Sequence, residues 1–379
     1  MKKILMLMLL PFIVLSTVAC SAFDNPNPDY CETGSQEGVY KCVKTWSTMF
    51  DTTISLTLYV DKTDTYDIVN IYDAVTTILW DYHRLFDKYN PYDGINNVFS
   101  INENNAGTTV LDPRLFDAIA YVLDNERDIS IEGAKLFNIA LNPVLKIWHD
   151  ARENEACEDG LILVCPVPSA SSLEADFNID PDDIVLDATD QSIKFNQPDM
   201  SIDLGGFGKG YVSEIVTDYL DTLNVRYILN AGNSNVKAGG VNPNNTDGFY
   251  YIALIEPTLE YTLTNTYYVY LKVSGGESVV TSGNYQRFFR GASDNLVYHH
   301  IIDPRTYYPG GEAMSVTIIT EDGALADIYS TAVFLMTIAE GQTFVDATEG
   351  LEAIWYKSDG TVEYSAGFET YIYQLFPGK

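Results

Sequence analysis

The stretch from residue 53 to residue 86 constrains the fold most, because two different hydrophobic periodicities lie close together in it. Apolar and polar residues alternate from Thr53 to Val60, as a strand with one buried face requires. From Ile68 to Phe86, apolar residues recur at steps of three and four, which is the pattern of an amphipathic helix. The chain is therefore predicted to mix strands with helices.

The remaining periodic segments follow one another without a regular strand–helix–strand alternation. Helices are predicted at Pro113 to Asn125, at Gly210 to Leu223 and, as the last helix, at Ala324 to Ile338. Predicted strands occupy residues 226–229, 250–255, 267–273 and 315–320, with a closing strand at 353–356. This order indicates an α+β fold, formed as a single compact unit of intimately packed subdomains.

The N-terminus predicts export. Met1, Lys2 and Lys3 precede an apolar run, Ile4 to Val18, that has the length of a secretory signal rather than of a membrane-spanning helix. The run leads to Cys20 in a sequence that looks like a bacterial lipobox, with Thr17 where Leu is usual. We expect lipidation of Cys20 to anchor the protein to the extracytoplasmic side of the cell membrane; an ordinary signal-peptidase site is the alternative, and it also exports the protein.

Three regions are predicted along the chain. Residues 1–20 form the lipoprotein signal, residues 21–45 a tether and residues 46–379 the folded domain. Ser21 to Glu37 are rich in Asp, Asn, Pro, Gly and Ser and bury little apolar surface, which is the composition of a tether.

Four cysteines remain after Cys20, in a compartment where disulfides persist. Three pairings are possible, and the short gaps favour Cys31 with Cys42 and Cys157 with Cys165. A metal cluster is the alternative, but no C-x-x-C spacing supports it.

The chain carries 53 acidic and 22 basic residues, a net charge of −31. This charge argues against nucleic acid or an anionic lipid surface as a partner. The simplest explanation of this charge is that it keeps the surface of the protein well solvated. A protein this acidic that binds a polyanionic ligand needs a metal, a few cations and backbone N–H groups to compensate the charge locally.

Three segments carry groups suited to that task, and each also has a plain structural explanation. The glycines between Ser201 and Gly210 let backbone N–H groups approach a phosphate near Lys209, although such turns are usually only tight turns. Asp327 and Thr331 share one helical face, and Ser330 lies beside them. Their oxygens could bind a hard cation, or Asp327 could simply be a buried carboxylate that is hydrogen-bonded to Thr331.

The remaining segment contains His299, His300, Asp303 and Arg305 near a predicted strand end. Because adjacent strand residues point to opposite faces, only one of the two histidines is expected to face a given site. Both are otherwise ordinary polar residues at a strand end.

Taken together and in this order, the segments resemble the ApbE family, the FAD:protein FMN transferases. The resemblance extends from about Met49 to Phe376. Four stretches carry it: Asp203 to Gly210 is close to the family's "DLGGIAKGY", Val280 to Gly283 to "TSGxY", His300 to Thr306 to "HIIDPxTG", and Ala326 to Thr331 to "ADALAT". Leu136 to Trp148 also looks like the family's "FDxTxxPLxxLW" element.

The resemblance implies an ApbE-like, T-fold-like architecture, with Mg²⁺ as the metal and FAD as the substrate. The implied metal ligands are the backbone oxygen of Gly206 and the side chains of Asp327, Ser330 and Thr331. The implied FAD contacts are Asp203 and Lys209, with Phe50, Thr52, Tyr89, Leu136, Phe137, Asn138 and Ile301 at other FAD-lining positions. His300 is the candidate acceptor of a proton, because the pKa of an imidazole is near working pH, and Asp303 is its candidate orienting partner. Carboxylates near the metal are the alternative proton acceptors.

The reaction implied by the resemblance is cleavage of FAD, release of AMP and attachment of FMN to a Thr or Ser hydroxyl of an acceptor protein. Three departures from the family pattern are Asn138 and Ala140 in place of its Asp and Thr, Tyr307 in place of its Gly, and Ala231-Gly232-Asn233-Ser234 in place of its "AGGN". They keep two alternatives open: an FAD pyrophosphatase that uses water, and a non-catalytic flavin-binding lipoprotein.

Overall fold

The computed structural model describes residues 30–34, 36–126, 129–160, 162–257 and 266–378, and its largest element is an antiparallel sheet of nine strands. In chain order these strands are β1 (Cys31–Thr33), β2 (Val39–Met49), β3 (Thr52–Asp61), β10 (Arg226–Ala231), β11 (Asn235–Gly239), β14 (Ser278–Gly283), β17 (Ser315–Thr320), β18 (Glu352–Tyr356) and β19 (Val362–Tyr364). Their order across the sheet is the same as their order in the chain.

Shorter strands form three sheets of three strands and one hairpin. The first sheet contains β12 (Tyr250–Ile255), β13 (Tyr267–Val273) and β20 (Ile372–Leu375). The others contain β7 (Val164–Cys165), β15 (Phe288–Gly291) and β16 (Val297–His299), and β4 (Thr108–Val110), β8 (Ile184–Asp187) and β9 (Ser192–Phe195). The hairpin is β5 (Ser130–Ile131) with β6 (Ala134–Lys135).

The helices of the described residues are α1 (Ile68–Phe86), α2 (Val98–Glu103), α3 (Pro113–Glu126), α4 (Asn142–Arg152), α5 (Ala170–Leu173), α6 (Gly208–Thr222), α7 (Gly323–Leu335) and α8 (Ile338–Ala347). None of them is long and apolar enough to cross a membrane. The α+β prediction is confirmed, and α1 has the predicted bounds.

The nine-stranded sheet is buried on both faces, and neighbouring residues of one strand belong to different cores. In β17, Ile318 faces the core shared with α1, α6 and α7, whereas Ile319 faces the core shared with β12, β13 and β20. Trp355 and Tyr356 of β18 divide in the same way. The period-two pattern of these strands thus places the sheet between a helical layer and a small sheet.

The predicted end of the tether is wrong. Residues 31–33 and 39–45 lie in β1 and β2, where β2 pairs with β3 over most of its length. The alternation of buried and exposed residues in β2 was hidden by its position next to a polar stretch. Cys20 and the rest of residues 1–20 lie outside the described residues.

Both favoured disulfides are confirmed. Cys31 and Cys42 are opposite each other in the register of β1 and β2 and are bonded, and so are Cys157 and Cys165. The metal cluster considered for these four thiols is therefore wrong.

The predicted last helix is two helices. α7 ends at Leu335, and Met336 and Thr337 have extended backbone before α8 begins at Ile338. Thr337 and Glu340 form a capping box, in which each side chain accepts the other residue's backbone N–H. A strong N-cap signal therefore starts a new helix within a continuous apolar pattern.

The strand that was predicted to close the fold is not the last one, because β19 and β20 follow it.

Candidate active site

A cleft of about 650 Å³ lies at the N-terminal end of α6. Its walls come from the tip of the β2–β3 hairpin, the loop after α1, residues 136–141 with α4, the Gly-rich turn before α6, the end of β14, β16 with the segment after it, and one face of α7. Most of the residues singled out in the sequence line it: Phe50, Thr52, Tyr89, Leu136, Phe137, Asn138, Asp203, Gly206, Lys209, His300, Ile301, Asp327 and Thr331.

The acidic corner of the cleft is formed where α6 and α7 cross. Asp327 is 5% exposed, and its Oδ2 accepts the Gly210 N–H at 2.7 Å. Burial raises the pKa of the Asp327 carboxyl, and the positive charge of Lys209 opposes that rise. Thr331 lines the cleft one turn further along α7. A buried carboxylate beside a hydroxyl is a donor set that a cation stabilises.

Within the described part of the chain, no cluster of three or more His, Cys, Asp or Glu side chains is arranged to hold a metal ion. The residues at the acidic corner nevertheless fit Mg²⁺. This ion keeps several water ligands and takes one or two carboxylates together with substrate phosphates, rather than a cage made entirely of protein groups.

Ser330 and Asp303 do not line the cleft. The Ser330 hydroxyl is buried, where it donates to the Asp327 carbonyl at 3.1 Å and lies 2.9 Å from the Ser282 hydroxyl. Asp303 is also buried, and Arg305 donates to it from its backbone N–H and from its guanidinium, with Nη2 at 2.7 Å from Oδ2. The orienting role predicted for Asp303 is wrong, because its carboxylate binds Arg305 rather than His300.

His299 and His300 both line the cleft, so the expectation that only one does is wrong. The alternation rule fails because β16 ends at His299. The His299 Nδ1 accepts the Ile301 N–H at 3.3 Å. Burial lowers the pKa of His299 to about 4. Burial, followed by the charge of Arg287, lowers the pKa of His300 to about 3.

Several further cleft residues were missed from the sequence, among them His83, His149 and Lys88. His83 follows the helical periodicity of α1, and nothing in the sequence shows that it reaches the cleft. Lys88 forms an ion pair with Asp203, with Nζ at 2.7 Å from Oδ2. The position of Lys88 directly before Tyr89 could have placed it near the cleft. A single lysine in a loop, however, does not show which carboxylate it pairs with.

The β2–β3 hairpin tip is held in place from two sides. Phe50 and Asp51 both have positive φ angles, 54° and 50°, which non-glycine residues adopt at a cost in stability. The Phe50 N–H donates to Nδ1 of His83 at 3.3 Å, and Arg287 donates to the Asp51 carbonyl at 3.2 Å. These contacts fix Phe50 and Thr52 as one wall of the cleft.

Helices over a doubly buried antiparallel sheet, with this cleft at the α6–α7 crossing, define a fold also seen in flavin transferase structures. The ApbE protein of Thermotoga maritima superimposes with a TM-score of 0.74 at 22% identity, covering 88% of this chain and 100% of that one. The apo form of the Pseudomonas stutzeri flavinyl transferase ApbE gives 0.68 at 20% identity, covering 89% and 98%. These likenesses show the fold.

The ApbE family model matches residues 50–355, and the chain belongs to that family. An FAD:protein FMN transferase of Klebsiella pneumoniae (strain 342) is 32% identical over 223 residues, which are 58% of this chain and 62% of that protein. An FAD:protein FMN transferase of Rhodobacter capsulatus is 28% identical over 220 residues, 56% of this chain and 38% of that one. The match therefore spans less than two thirds of the length of either relative.

All four histidines of the chain line the cleft, and burial lowers the pKa of each from its usual value. A depressed pKa means that the imidazole stays neutral until the pH falls below about 6.5. We expect NMR titration of the four imidazole C2–H signals to give midpoints below 6.5, with His300 the lowest. Replacing each histidine with Asn assigns the signals, and a midpoint at or above 6.5 in the ligand-free protein contradicts the prediction.

The crossing of α6 and α7 leaves no room for a side chain at Gly210. A Cβ built there overlaps the Gly323 carbonyl oxygen and lies 2.9 Å from the Asp327 Cβ. Gly210→Ala is expected to separate the two helices and to lower the melting temperature, as overpacking does. Asp218→Ala, at an exposed position of the same helix, is the matched control. Equal melting temperatures for the two variants would contradict this account.

Proposed function

We propose that this protein is an FAD:protein FMN transferase, which cleaves FAD, releases AMP and attaches FMN through a phosphoester bond to a Thr or Ser hydroxyl of an acceptor protein. The observation that carries the proposal is the convergence of Asp327, Thr331, Lys209 and His300 on one cleft. Family membership and the names of the curated relatives support it.

The groups that would bind the pyrophosphate of FAD lie at the start of α6. Lys209 is a cleft-lining cation, and backbone N–H groups at a helix N-terminus favour bound anions. Mg²⁺ would be held by Asp327, Thr331 and the Gly206 carbonyl, and it would supply positive charge where the phosphates become more negative in the transition state. Ser330 lies behind these ligands and supports α7.

In the proposed reaction, the acceptor hydroxyl attacks the phosphorus on the FMN side of the pyrophosphate. The bond from that phosphorus to the bridging oxygen breaks, AMP leaves with the bridging oxygen, and the hydroxyl proton is passed on. His300 is the candidate proton acceptor because it is neutral over the whole physiological range. Its pKa of about 3 makes it a weak base in the empty cleft, and an anionic pyrophosphate nearby would raise that pKa.

The place of action belongs to the same proposal. We infer an extracytoplasmic protein anchored through lipidated Cys20, which reaches its acceptor from the membrane surface. The sequence of residues 1–20 supports this inference.

Transfer is tested by mass spectrometry of an acceptor domain incubated with the protein, FAD and Mg²⁺. We expect the acceptor to gain the mass of one FMN less one water, as a phosphoester requires, and an acceptor with its target Thr replaced by Ala to gain none. The second acceptor controls for tightly bound but unattached flavin. Free FMN and AMP without labelled acceptor would establish the pyrophosphatase instead, and unchanged FAD would favour a flavin-binding lipoprotein.

The acidic corner is tested with Asp327→Asn and Thr331→Val. In Asp327→Asn, the transition state is expected to lose several kcal/mol of electrostatic stabilisation, because the metal is bound less well. The rate of FAD cleavage is then expected to fall roughly 100-fold or more. A smaller fall and a higher Mg²⁺ requirement are expected for Thr331→Val. Asp218→Asn, on the exposed surface of α6, serves as the control. An unchanged rate and an unchanged Mg²⁺ dependence in Asp327→Asn would overturn the proposed metal site.

A further inference from the structure

A third core lies behind one wall of the cleft, apart from the two cores that flank the central sheet. It is built by α4, β7, α5, β15 and the segment after β16. Its buried members are Leu141, Val144, Trp148, Cys165, Leu173, Phe289 and Ile302. Four of these also line the cleft, namely Leu141, Trp148, Phe289 and Ile302. The packing of the third core therefore sets the position of this wall.

The two histidines of the wall are carried by β16, which is held from two sides. On one side the ring of Trp148, from α4, stacks on Tyr298 with 5.3 Å between the ring centroids. On the other side β16 pairs with β15, where Tyr298 is opposite Phe289. β16 ends at His299, and His300 follows directly. Both supports of β16 must therefore keep their places if the histidines are to keep theirs.

The second neighbour of β15 is β7, in a sheet of three strands. The N–H groups of Arg290 and Ala292 donate to the carbonyls of Leu163 and Cys165, each at 2.9 Å. β7 has only two residues, and so short a strand has little stability of its own. The position of β7 must therefore be fixed from outside the sheet.

The Cys157–Cys165 disulfide supplies this link. Cys165 belongs to β7 and is fully buried in the third core, whereas Cys157 packs against the same core shortly after the end of α4. The bond thus joins the two supports of β16, because α4 carries Trp148 and β7 pairs with β15. α4, β16, β15 and β7 form a closed circuit of contacts. A cross-link in this circuit limits how far its members can separate.

We propose that the Cys157–Cys165 disulfide is a positioning element of the cleft, which through β7 and β15 holds the wall that carries His299 and His300. Breaking the bond opens the circuit, and β7 then separates from β15 while the α6–α7 crossing keeps its structure. The positioning itself does not depend on the proposed function. Its consequence for turnover rests on that function, because His300 is the proposed proton acceptor.

The two disulfides of the described residues differ in their access to a reductant. Cys31 and Cys42 are 6% and 0% exposed, so both sulfurs of that bond are sheltered. In the other bond Cys165 is buried, but Cys157 is only half-buried, and residues 153–156 and 158–160 around it are exposed. The Cys157–Cys165 bond is therefore the one that a small dithiol reaches more easily.

Reduction by a dithiol proceeds in two exchanges. A thiolate of the reagent attacks the Cys157 sulfur, and Cys165 leaves as a thiolate. The second thiol of the reagent then attacks its own bonded sulfur and releases Cys157. The products are two cysteine thiols and the cyclic disulfide of the reagent, so the protein gains the two electrons and two protons that the dithiol loses.

The experiment compares the full chain before and after treatment with dithiothreitol, and again after reoxidation. Alkylation and mass spectrometry identify the bond that has been reduced. Hydrogen exchange of the Arg290 and Ala292 amides is expected to become about 10-fold faster or more, because both lose their partners beside β7. The NMR titration midpoint of His299 is expected to rise from about 4 toward 6.5, because its imidazole becomes more exposed. Both changes are expected to reverse on reoxidation.

Two comparisons separate a local effect from a general loss of stability. His83 lies on α1, outside the circuit, and its titration midpoint is expected to stay unchanged. The matched control is Cys31→Ala/Cys42→Ala, which removes a disulfide of similar spacing at the edge of the central sheet, outside the cleft. This variant is expected to have a lower melting temperature and an unchanged His299 midpoint.

The variant Cys157→Ala/Cys165→Ala is expected to reproduce the reduced state without a reagent, and it decides the matter if dithiothreitol leaves the bond intact. If the variant fails to fold, the reduced wild-type protein decides instead. In either form, kcat for FAD cleavage is expected to fall several-fold with less change in the KM for FAD, because the histidine wall is displaced and the acidic corner is not.

Three results would overturn the inference: amide exchange and a His299 midpoint that do not change when the bond is broken, equal shifts of His299 and His83, or the same His299 shift in Cys31→Ala/Cys42→Ala. The last two would assign the bond to general stability. A wall that moves as expected in a protein that does not cleave FAD would support the positioning and contradict the proposed function, so the two ideas fail in distinguishable ways.

Discussion

The contact between the Gly210 N–H and the Asp327 carboxylate holds together the two helices on which the cleft is built. It joins the first turn of α6 to the middle of α7 at 2.7 Å, and it is possible only because residue 210 has no side chain. The same helices carry the Gly-rich turn and the acidic corner. Their approach therefore sets the separation between Lys209 and Asp327, and every proposed contact to a pyrophosphate depends on it.

A second buried pair supports this crossing from behind. Lys237 of β11 donates to both carboxylate oxygens of Glu214 in α6, and Glu214 accepts the Gly323 N–H at the start of α7 at 2.6 Å. Burial raises the pKa of Glu214, while Lys237 opposes the rise. An ion pair in such a position adds little net stability, but it fixes which groups are adjacent. Here it fixes the start of α7 relative to α6 and the central sheet.

Sequence alone predicted the elements whose periodicity is undisturbed, such as α1, and it grouped the cleft-lining residues Asp203, Lys209 and Asp327 from their local chemistry. It failed where a decision depends on neighbours in space. The capping box at Thr337 divides an apolar pattern that reads as one helix, and the early end of β16 lets His299 and His300 share a cleft. Asp303 was predicted to orient His300, whereas its carboxylate accepts hydrogen bonds from the guanidinium of Arg305.

Charge balance in the cleft differs sharply from that of the whole chain. Acidic residues outnumber basic ones by 53 to 22 overall. Among the described residues, however, the cleft is lined by as many cations as carboxylates: Lys88, Arg152, Lys209 and Arg287 against Asp51, Asp87, Asp203 and Asp327. Asp203 is neutralised by Lys88, and Asp87 accepts hydrogen bonds from Tyr89, Asn90 and Tyr92.

Asp327 is therefore the cleft carboxylate that most favours a bound cation, because it is buried and has no ion-pair partner within the described residues. The charge of Lys209 lowers its pKa, and Lys209 itself forms no ion pair within those residues. A polyanion entering the cleft would draw Lys209 toward itself and leave Asp327 less compensated. Binding of the polyanion and binding of a divalent cation would then favour each other, because each supplies the charge that the other lacks. In so acidic a protein, this mutual dependence would confine the proposed phosphate binding to the α6–α7 crossing.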